Sequence, residues 1–397
     1  MAFSHLQRAL QEREAQALLR QEHLVASYEQ QFIRVKEKQY CNFSSNDYLG
    51  LAQLETPASL LNHTKGSASS PLVTGYSEQH QALVDYLAHH LKREAVLLFN
   101  SGFSANNAIA SALSSPNQSP QMCILADKLV HASIIDGALA SGAQFKRFRH
   151  NSVEHCQQLL TRQQQLQPNT DVLVMTESVF SMDGDKAPIA ELAQLSLNNH
   201  AWLSVDDAHG FGVLGENGLG ITDQGFSQQE IPVLMGTFGK AIGTGGAFVA
   251  GSHVFINYLK NFAREYIYST AFSPFHASLT LHHLQQCYQQ SWRREKLHHN
   301  IRTFQEVIAP IADAYQLVIL PSDTAIQPLI IGCPEKTMQL ALALKQAGFW
   351  VTGIRYPTVP RNTDRIRFTL TSQHTVDNIQ TLGKTLAQVL AANARNG

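Results

Sequence analysis

A single lysine, Lys240, stands among five glycines in the segment GTFGKAIGTGG, between two apolar runs. A lysine in this setting either holds a phosphate or reacts through its amine. The phosphate-loop pattern GxxxxGK[ST] is not met, because Leu234 and Ala241 occupy the positions of its first glycine and its hydroxyl residue. The dinucleotide pattern GxGxxG fails as well, since it would end on Phe248. The remaining interpretation is that the amine forms an imine. An imine-forming amine must lose its proton, and partial burial lowers the pKa of a lysine amine.

An aldehyde cofactor such as pyridoxal phosphate (PLP) needs an acid at its ring nitrogen, a stacking group and a phosphate cup. Asp206 follows the apolar run in WLSVDDAHG, and His131 follows another in ADKLVHASIIDGA. Residues 101–103 lie between an apolar run and a helix-like segment, where a helix N-terminus can bind an anion. Each feature alone is often structural, but their order along the chain predicts a PLP site.

Seven short apolar runs must position these residues, and most of them end in small or polar residues. They alternate with helix-like segments and read AVLLFNSG, MCILAD, FKRFRH, VLVMTES, WLSVDDAHG, VLMGTFG and GAFVAG. This alternation predicts a doubly wound α/β domain, in which ligands bind beyond the carboxyl ends of the strands. We expect an N-terminal helical segment over 1–45, a large domain over 46–285 and a smaller α+β domain over 286–397.

The bulk composition excludes several classes of protein. The 397 residues are 44% hydrophobic and carry a formal net charge of -1, so no clustered basic surface for nucleic acid is indicated. The chain has no apolar run long enough for a membrane span and no secretory signal at its start. Its five cysteines are scattered without metal-ligand spacing. We therefore expect a cytoplasmic protein with reduced thiols and no metal site.

Several longer motifs carry a resemblance to a known family. They include NFSSNDYLGL, LLFNSGFSANNAIASAL, VFSMDGD, VDDAHGFGVLGENGLG, AIQPLI and GIRYPTVP, and they run from about residue 40 to 372. The chain resembles the α-oxoamine synthases, which are fold-type I PLP-dependent transferases. It is most similar to the branch that condenses L-alanine with a pimeloyl thioester to 8-amino-7-oxononanoate in biotin biosynthesis. The resemblance implies a mostly parallel, seven-stranded central sheet with helices on both faces, and a smaller C-terminal α+β domain.

The resemblance also implies roles for individual residues. Lys240 would carry PLP as a covalent imine and later move a proton at the α-carbon of the amino acid. Asp206 would pair with the ring nitrogen, His131 would stack on the ring and contact the incoming carbonyl, and His209 and Ser181 would hydrogen-bond the ring 3-oxygen. Asp207, next to Asp206, has no assigned role and is expected only to orient a neighbour.

The remaining implied residues hold the cofactor or the substrates. Those expected at the cofactor are Gly102, Phe103, Thr237 and, at the phosphate of a neighbouring subunit, Thr270. Those expected at the substrates are Arg20, Asn46, Thr358 and, at the amino-acid carboxylate, Arg355. The implied assembly is a homodimer with shared active sites, and the thioester is carried either by coenzyme A or by acyl carrier protein.

One segment departs from the pattern, and two sister activities stay open. The loop over residues 66–75 keeps the expected length but lacks several glycines of the family and contains Pro71. We expect it to be stiffer, because proline fixes φ and removes a hydrogen-bond donor. Glycine C-acetyltransferase and 5-aminolevulinate synthase share the mechanism. An aminotransferase is the alternative from another class of enzyme.

Overall fold

The computed structural model describes residues 3–16, 18–114 and 122–395. The strands are β1 (Val25–Glu29), β2 (Phe32–Val35), β3 (Lys38–Asn42), β4 (Ala95–Phe99), β5 (Met122–Asp127), β6 (Gln144–Phe148), β7 (Asp171–Glu177), β8 (Trp202–Asp206), β9 (Val233–Thr237), β10 (Ala247–Gly251), β11 (Val318–Ile319), β12 (Ile326–Ile330), β13 (Phe349–Trp350), β14 (Thr352–Ile354) and β15 (Arg365–Thr369). The helices are α1 (Ser4–Ala15), α2 (Glu78–Leu91), α3 (Gly102–Leu113), α4 (Ala132–Ala140), α5 (Val153–Leu166), α6 (Ile189–Asn198), α7 (His253–Phe262), α8 (Arg264–Ile267), α9 (Pro274–Gln289), α10 (Trp292–Ala314), α11 (Pro334–Gln346) and α12 (Val376–Arg395).

Seven strands form the central sheet in the order β4-β10-β9-β8-β7-β5-β6. All neighbours are parallel except β10, which runs antiparallel to both β4 and β9. Strands β9 and β10 are buried at every residue, which means that helices cover both faces of the sheet. The sequence-based prediction of a mostly parallel seven-stranded sheet is confirmed. Within the described ranges, no helix combines the length and hydropathy needed to cross a bilayer.

The predicted helical segment over 1–45 is wrong in its second half. Only α1 is helical, and β1, β2 and β3 form an antiparallel meander after it. Two-residue turns connect these strands, and their first residues, Gln30 and Lys36, adopt left-handed φ angles of 54° and 55°. Such turns match the twist of a hairpin, but they usually contain glycine or asparagine. Because neither turn contains glycine or asparagine, no turn signal in the sequence indicated the hairpins.

The C-terminal part contains a second, antiparallel sheet in the order β11-β12-β15-β14. This smaller α+β unit is as predicted. It also completes the N-terminal meander, because β13 pairs in parallel with β3 through Phe349 and Cys41. Strand β15 grips the loop after β7 with two arginines: Arg365 forms an ion pair with Asp183, and Arg367 Nε donates to the carbonyl oxygen of Ser181 at 2.7 Å.

The same loop is held from the other side by His150. Its Nδ1 lies 2.9 Å from Asp127 Oδ1, and its Nε2 lies 2.8 Å from Asp185 Oδ2. Burial disfavours the imidazolium, but the hydrogen bonds to both carboxylates outweigh burial and raise the pKa of His150 to about 9. Because both ring nitrogens act as donors, His150 is a cation that ties the end of β5 to the loop after β7.

We expect His150→Gln to destabilise the fold at neutral pH and to flatten the alkaline limb of its stability profile. The raised pKa means that the stabilisation is fully present below the ordinary value of about 6.5 and is lost as the pH rises through about 9. The loss at pH 6.5 should be roughly 3 kcal/mol. Urea unfolding at several pH values measures this effect, with His200→Gln on the exposed surface as the control. An unchanged alkaline limb in His150→Gln would contradict the prediction.

Candidate active site

Three central strands bring the main functional residues together at their carboxyl ends. Glu177 ends β7, Asp206 ends β8 and Thr237 ends β9, and all three residues are buried. The sheet register places Glu177 opposite Asp206 and Asp206 opposite Met235. Lys240 follows Thr237 by three residues. The predicted convergence at the strand ends is therefore present.

Lys240 is held in a setting that favours the neutral amine. Burial lowers the pKa of Lys240 to about 8, even though the nearby carboxyl groups of Asp206 and Glu177 raise it and Arg367 lowers it further. An ordinary lysine has a pKa of about 10.4 and carries almost no neutral amine at pH 7. The amine of Lys240 is thus available as a nucleophile and as a proton carrier near neutral pH.

The glycines around Lys240 allow its loop to fold against the rest of the domain. Gly243 has a φ of 72°, and a Cβ there would lie 2.3 Å from the main-chain nitrogen of Ala52. Gly246 has a φ of 87°, and its carbonyl oxygen accepts a hydrogen bond from the N–H of Phe238 at 2.9 Å. Both φ values favour glycine. The glycines therefore shape a tight loop that presents the lysine.

Asp206 is fixed by two donors that support its negative charge. Asn106 Nδ2 donates to Oδ2 at 2.7 Å, and the N–H of Ala208 donates to Oδ1 at 2.9 Å. Asn106 also donates to Ser133 Oγ at 3.0 Å, which itself lies 2.7 Å from His131 Nδ1. One hydrogen-bonded chain thus connects the acid to the predicted stacking histidine. Sequence reasoning missed Asn106, which is the buried member of the adjacent pair Asn106 and Asn107 in α3.

His131 caps helix α4 and exposes its ring. Its Nδ1 accepts a hydrogen bond from the main-chain N–H of Ser133 at 3.2 Å. Burial lowers the pKa of His131 and Lys240 lowers it further, against the opposing effect of Asp206. The ring is therefore neutral, and since Nδ1 is an acceptor, the proton lies on Nε2. A neutral imidazole of this tautomer can stack on a planar ring and donate from Nε2.

His209 is buried and belongs to a second hydrogen-bonded chain. Its Nδ1 lies 2.6 Å from Tyr48 Oη, and the Tyr48 hydroxyl donates to Asn46 Oδ1 at 3.3 Å. Arg367 Nη2 donates to the same oxygen at 3.5 Å. Burial, followed by the charges of Lys240 and Arg367, lowers the pKa of His209 well below its usual value. Tyr48 and Arg367 are thus site residues to which the sequence analysis assigned no role.

The predicted phosphate cup has the shape and donors that an anion requires. Gly102 begins the 12-residue helix α3, and the Ser101 side chain caps it by accepting from the N–H of Ser104 at 3.1 Å. A Cβ on Gly102 would lie 3.8 Å from Thr237 Oγ1, so the threonine borders the helix N-terminus, although its hydroxyl donates here to the carbonyl oxygen of Gly246 at 2.9 Å. Free N–H groups at a helix start, beside a hydroxyl, suit a phosphate. Together with Lys240 and Asp206, the residues fit PLP.

The other predicted cofactor residues lie around this centre in different ways. Ser181 presents its carbonyl oxygen to Arg367, which places it beside the second hydrogen-bonded chain. Phe103 follows Gly102 and exposes its ring. Thr270 is exposed, and its carbonyl oxygen accepts from Asn100 Nδ2 at 2.8 Å.

The predicted substrate residues are less closely grouped. Asn46 lies in the chain with Tyr48 and Arg367. Arg355 and Thr358 share one turn after β14, where the N–H of Thr358 donates to the carbonyl oxygen of Arg355 at 2.9 Å. Arg20 is exposed between α1 and β1, and no hydrogen bond or ion pair joins it to another residue in the ranges that the structure describes. Its predicted role rests on the resemblance alone.

Asp207 has a structural role, as expected from its position beside Asp206. Its Oδ1 accepts from Ser178 Oγ, and its Oδ2 accepts from the N–H of Ile221 at 2.8 Å. Burial raises the pKa of Asp207 to about 7. A Cβ at Gly220 would lie 1.8 Å from Oδ2, so the following loop closes tightly over this carboxyl. The two adjacent aspartates therefore have different roles: Asp206 belongs to the site, and Asp207 holds the loop that follows it.

The loop over residues 66–75 is tied to the segment before α9. Ser67 Oγ donates to the carbonyl oxygen of Phe272 at 2.7 Å. The N–H of Ala271 donates to the carbonyl oxygen of Ser69 at 3.0 Å. Pro71–Gly75 forms a wide helical turn, and a Cβ on Gly75 would lie 2.2 Å from Ser69 O. The loop keeps two glycines, Gly66 and Gly75, and of these it is Gly75 whose packing leaves no room for a side chain.

Comparison with known proteins fits this geometry. The family profile of the class I and II aminotransferases matches residues 38–386. The 8-amino-7-oxononanoate synthase of Hydrogenovibrio crunogenus is 43% identical over 384 residues, which cover 96% of this chain and 94% of that protein. The chain belongs to the 8-amino-7-oxononanoate synthase family. It shares the fold of the class I and II aminotransferases.

Solved structures support the same relationship. The 8-amino-7-oxononanoate synthase of Francisella tularensis superposes with a TM-score of 0.74 at 30% identity, covering 89% of this chain and 99% of that one. A serine palmitoyltransferase from S. paucimobilis, solved with a bound PLP–myriocin adduct, superposes with a TM-score of 0.88 at 24% identity and covers 99% of this chain and 98% of that one. The second likeness shows the fold, which is the predicted fold type I.

We expect Asn106→Leu to weaken the binding of PLP by the apoenzyme. The variant keeps the number of side-chain heavy atoms and their branching but removes the donor to Asp206 and the contact with Ser133. Loss of a hydrogen bond to a charged group costs about 1.5–3 kcal/mol, so the dissociation constant should rise by roughly 10- to 100-fold. Equilibrium dialysis of PLP measures it. Asn107→Leu is the matched control, because within the described ranges the Asn107 side chain donates to the carbonyl oxygen of Phe103 and not to the site. Equal affinities in both variants would contradict the assigned role.

Proposed function

We propose that this chain is a PLP-dependent acyltransferase. It condenses L-alanine with a pimeloyl thioester, carried by coenzyme A or acyl carrier protein, to 8-amino-7-oxononanoate, carbon dioxide and free thiol in biotin biosynthesis. The observation that carries the proposal is the half-buried Lys240, with its lowered pKa, beside the fixed carboxylate of Asp206. The identity of about 40% with synthases of this reaction, over nearly the whole chain, supports it.

Bound PLP would supply a sink for the electron pair that is released at the α-carbon of the amino acid. The Lys240 amine would take the α-carbon proton and later return a proton, which suits a group with a pKa of about 8. Asp206 would hold a proton at the ring nitrogen by charge pairing. His209 and Ser181 would bind the ring 3-oxygen.

The amino-acid carboxylate needs a cation with a rigid pair of donors. Arg367 is the guanidinium whose charge acts on both Lys240 and His209, and it shares Asn46 with Tyr48. We assign it the main contact with the carboxylate. Arg355, which the sequence analysis placed there, is the second arginine proposed for the substrate, together with Thr358 from the same turn.

The acyl donor would meet His131. Because Ser133 donates to Nδ1, the neutral ring carries its proton on Nε2 and can donate it as a hydrogen bond to the thioester carbonyl oxygen. This contact polarises the carbonyl for attack and stabilises the negative charge that develops on its oxygen. Arg20 is the proposed contact for the far end of the acyl chain.

A second copy of the chain would cover an apolar surface next to the phosphate cup. A cavity of about 370 Å³ lies here, lined among others by Leu72, Asn100 and Thr270. Leu72, Phe103 and Tyr268 expose large apolar side chains. Burial of this surface favours a homodimer. In that dimer, Thr270 would reach the phosphate of the neighbouring site. We further propose that the enzyme acts in the cytoplasm.

The reaction itself is tested by thiol release from pimeloyl thioesters of coenzyme A and of acyl carrier protein. We expect release that depends on L-alanine, and its complete loss in Lys240→Ala with the fold retained by circular dichroism. Lys384→Ala, on the exposed side of helix α12, is the matched control. Release from a short acyl donor with glycine would move the chain to a sister activity. Absence of thiol release with every pair would point to transamination.

The carboxylate assignment is tested by comparing two arginine variants. We expect Arg367→Lys to raise the KM for L-alanine by at least about tenfold, because a single ammonium replaces a bidentate fork. Arg355→Lys should raise it by less. Steady-state kinetics with saturating thioester measures both values. A larger rise of KM in Arg355→Lys than in Arg367→Lys would instead assign the main carboxylate contact to Arg355.

A further inference from the structure

One buried acid in the site has no part in the proposed steps. Glu177 ends β7 and is only 2% exposed. It stands opposite Asp206 in the parallel register of β7 and β8, so the two carboxyl groups leave the sheet side by side. Burying an ionised acid costs free energy unless hydrogen bonds or an opposite charge compensate, or unless the acid takes up a proton.

The contacts of Glu177 are few and asymmetric. The main-chain N–H of His131 faces its carboxyl group and favours the anion. Its Oε1 is buried and has no hydrogen-bond partner among the residues that the structure describes. The charged groups that act on it are Asp206 on β8, Asp127 at the end of β5 and Lys240 after β9.

Two neighbouring buried carboxyl groups do not both ionise readily, and the donors decide which one keeps the proton. Asp206 accepts from the side chain of Asn106 and from the N–H of Ala208, so its anion is supported on both oxygens. Glu177 has one main-chain donor. Burial, followed by the charge of Asp206, raises the pKa of Glu177 well above its usual value, although Lys240 opposes this.

We propose that Glu177 is a positioning residue that works as a neutral carboxylic acid. Its carbonyl oxygen anchors the main chain of His131, and its neutrality leaves Asp206 as the one negative charge of the pair. A second anion here would raise the pKa of Lys240 and favour its protonated form, whereas a neutral Glu177 leaves Asp206 as the carboxylate that acts on the amine. The inference rests on the proposed PLP site, but it does not depend on the acyl donor.

The test follows the covalent attachment of PLP to Lys240 in the apoenzyme across pH 6–9, by absorbance and by borohydride trapping. Glutamine mimics a neutral acid in size and keeps an acceptor for the N–H of His131. We therefore expect the midpoint of Glu177→Gln to stay within about 0.3 pH units of the wild-type value. A midpoint lowered by about one unit or more would show that an anion had been removed, and would overturn the proposal.

The anchoring role has its own variant and readout. Glu177→Ala removes the acceptor, so we expect PLP to dissociate roughly tenfold faster and its bound circular dichroism band to change, while Glu177→Gln keeps both. Equal behaviour of the alanine and glutamine variants would overturn this part of the proposal. Asp171→Asn, at the exposed start of the same strand, is the control for a lost carboxyl group, and thermal unfolding checks the fold. If the wild type attaches no PLP, the cofactor proposal itself fails.

Discussion

The site depends on keeping one lysine partly neutral beside a carboxylate that must stay charged. Burial alone lowers the pKa of Lys240, and the nearby acids alone would raise it. The value of about 8 is the balance of these effects. That balance requires strands that end in register, a glycine loop that lets Lys240 approach them, and donors that fix the charge on Asp206.

The balance extends across the two sheets. Arg367 lies on β15 of the C-terminal sheet, yet its charge acts on Lys240 and His209 in the central domain. Its position depends on the loop after β7, which Arg365 holds by Asp183 and His150 holds by Asp185. The ion pairs outside the site therefore support the geometry within it.

Much of this arrangement could be predicted from the sequence, for a physical reason. Buried parallel strands give continuous apolar runs, and their polar last residues mark the edge where ligands bind. Asp206 was singled out by that rule, and Lys240 by the glycines around it. Asn106 and Arg367 were not, because their partners are 100 and 321 residues away in the chain and only the tertiary fold brings them together. The N-terminal hairpins were missed because their turns contain Gln30 and Lys36 instead of glycine.

Three acids at the ends of two adjacent strands show how hydrogen-bond donors give carboxyl groups different roles. Asp206 has donors on both oxygens and faces the lysine, so it is the charge of the site. Asp207 has donors as well, but it points to the loop that contains Ile221 and closes that loop. Glu177 has one main-chain donor among the described residues and stands beside the Asp206 carboxylate, so burial and that charge raise its pKa. Residue type supplies the carboxyl group, whereas the number and direction of its donors decide its role.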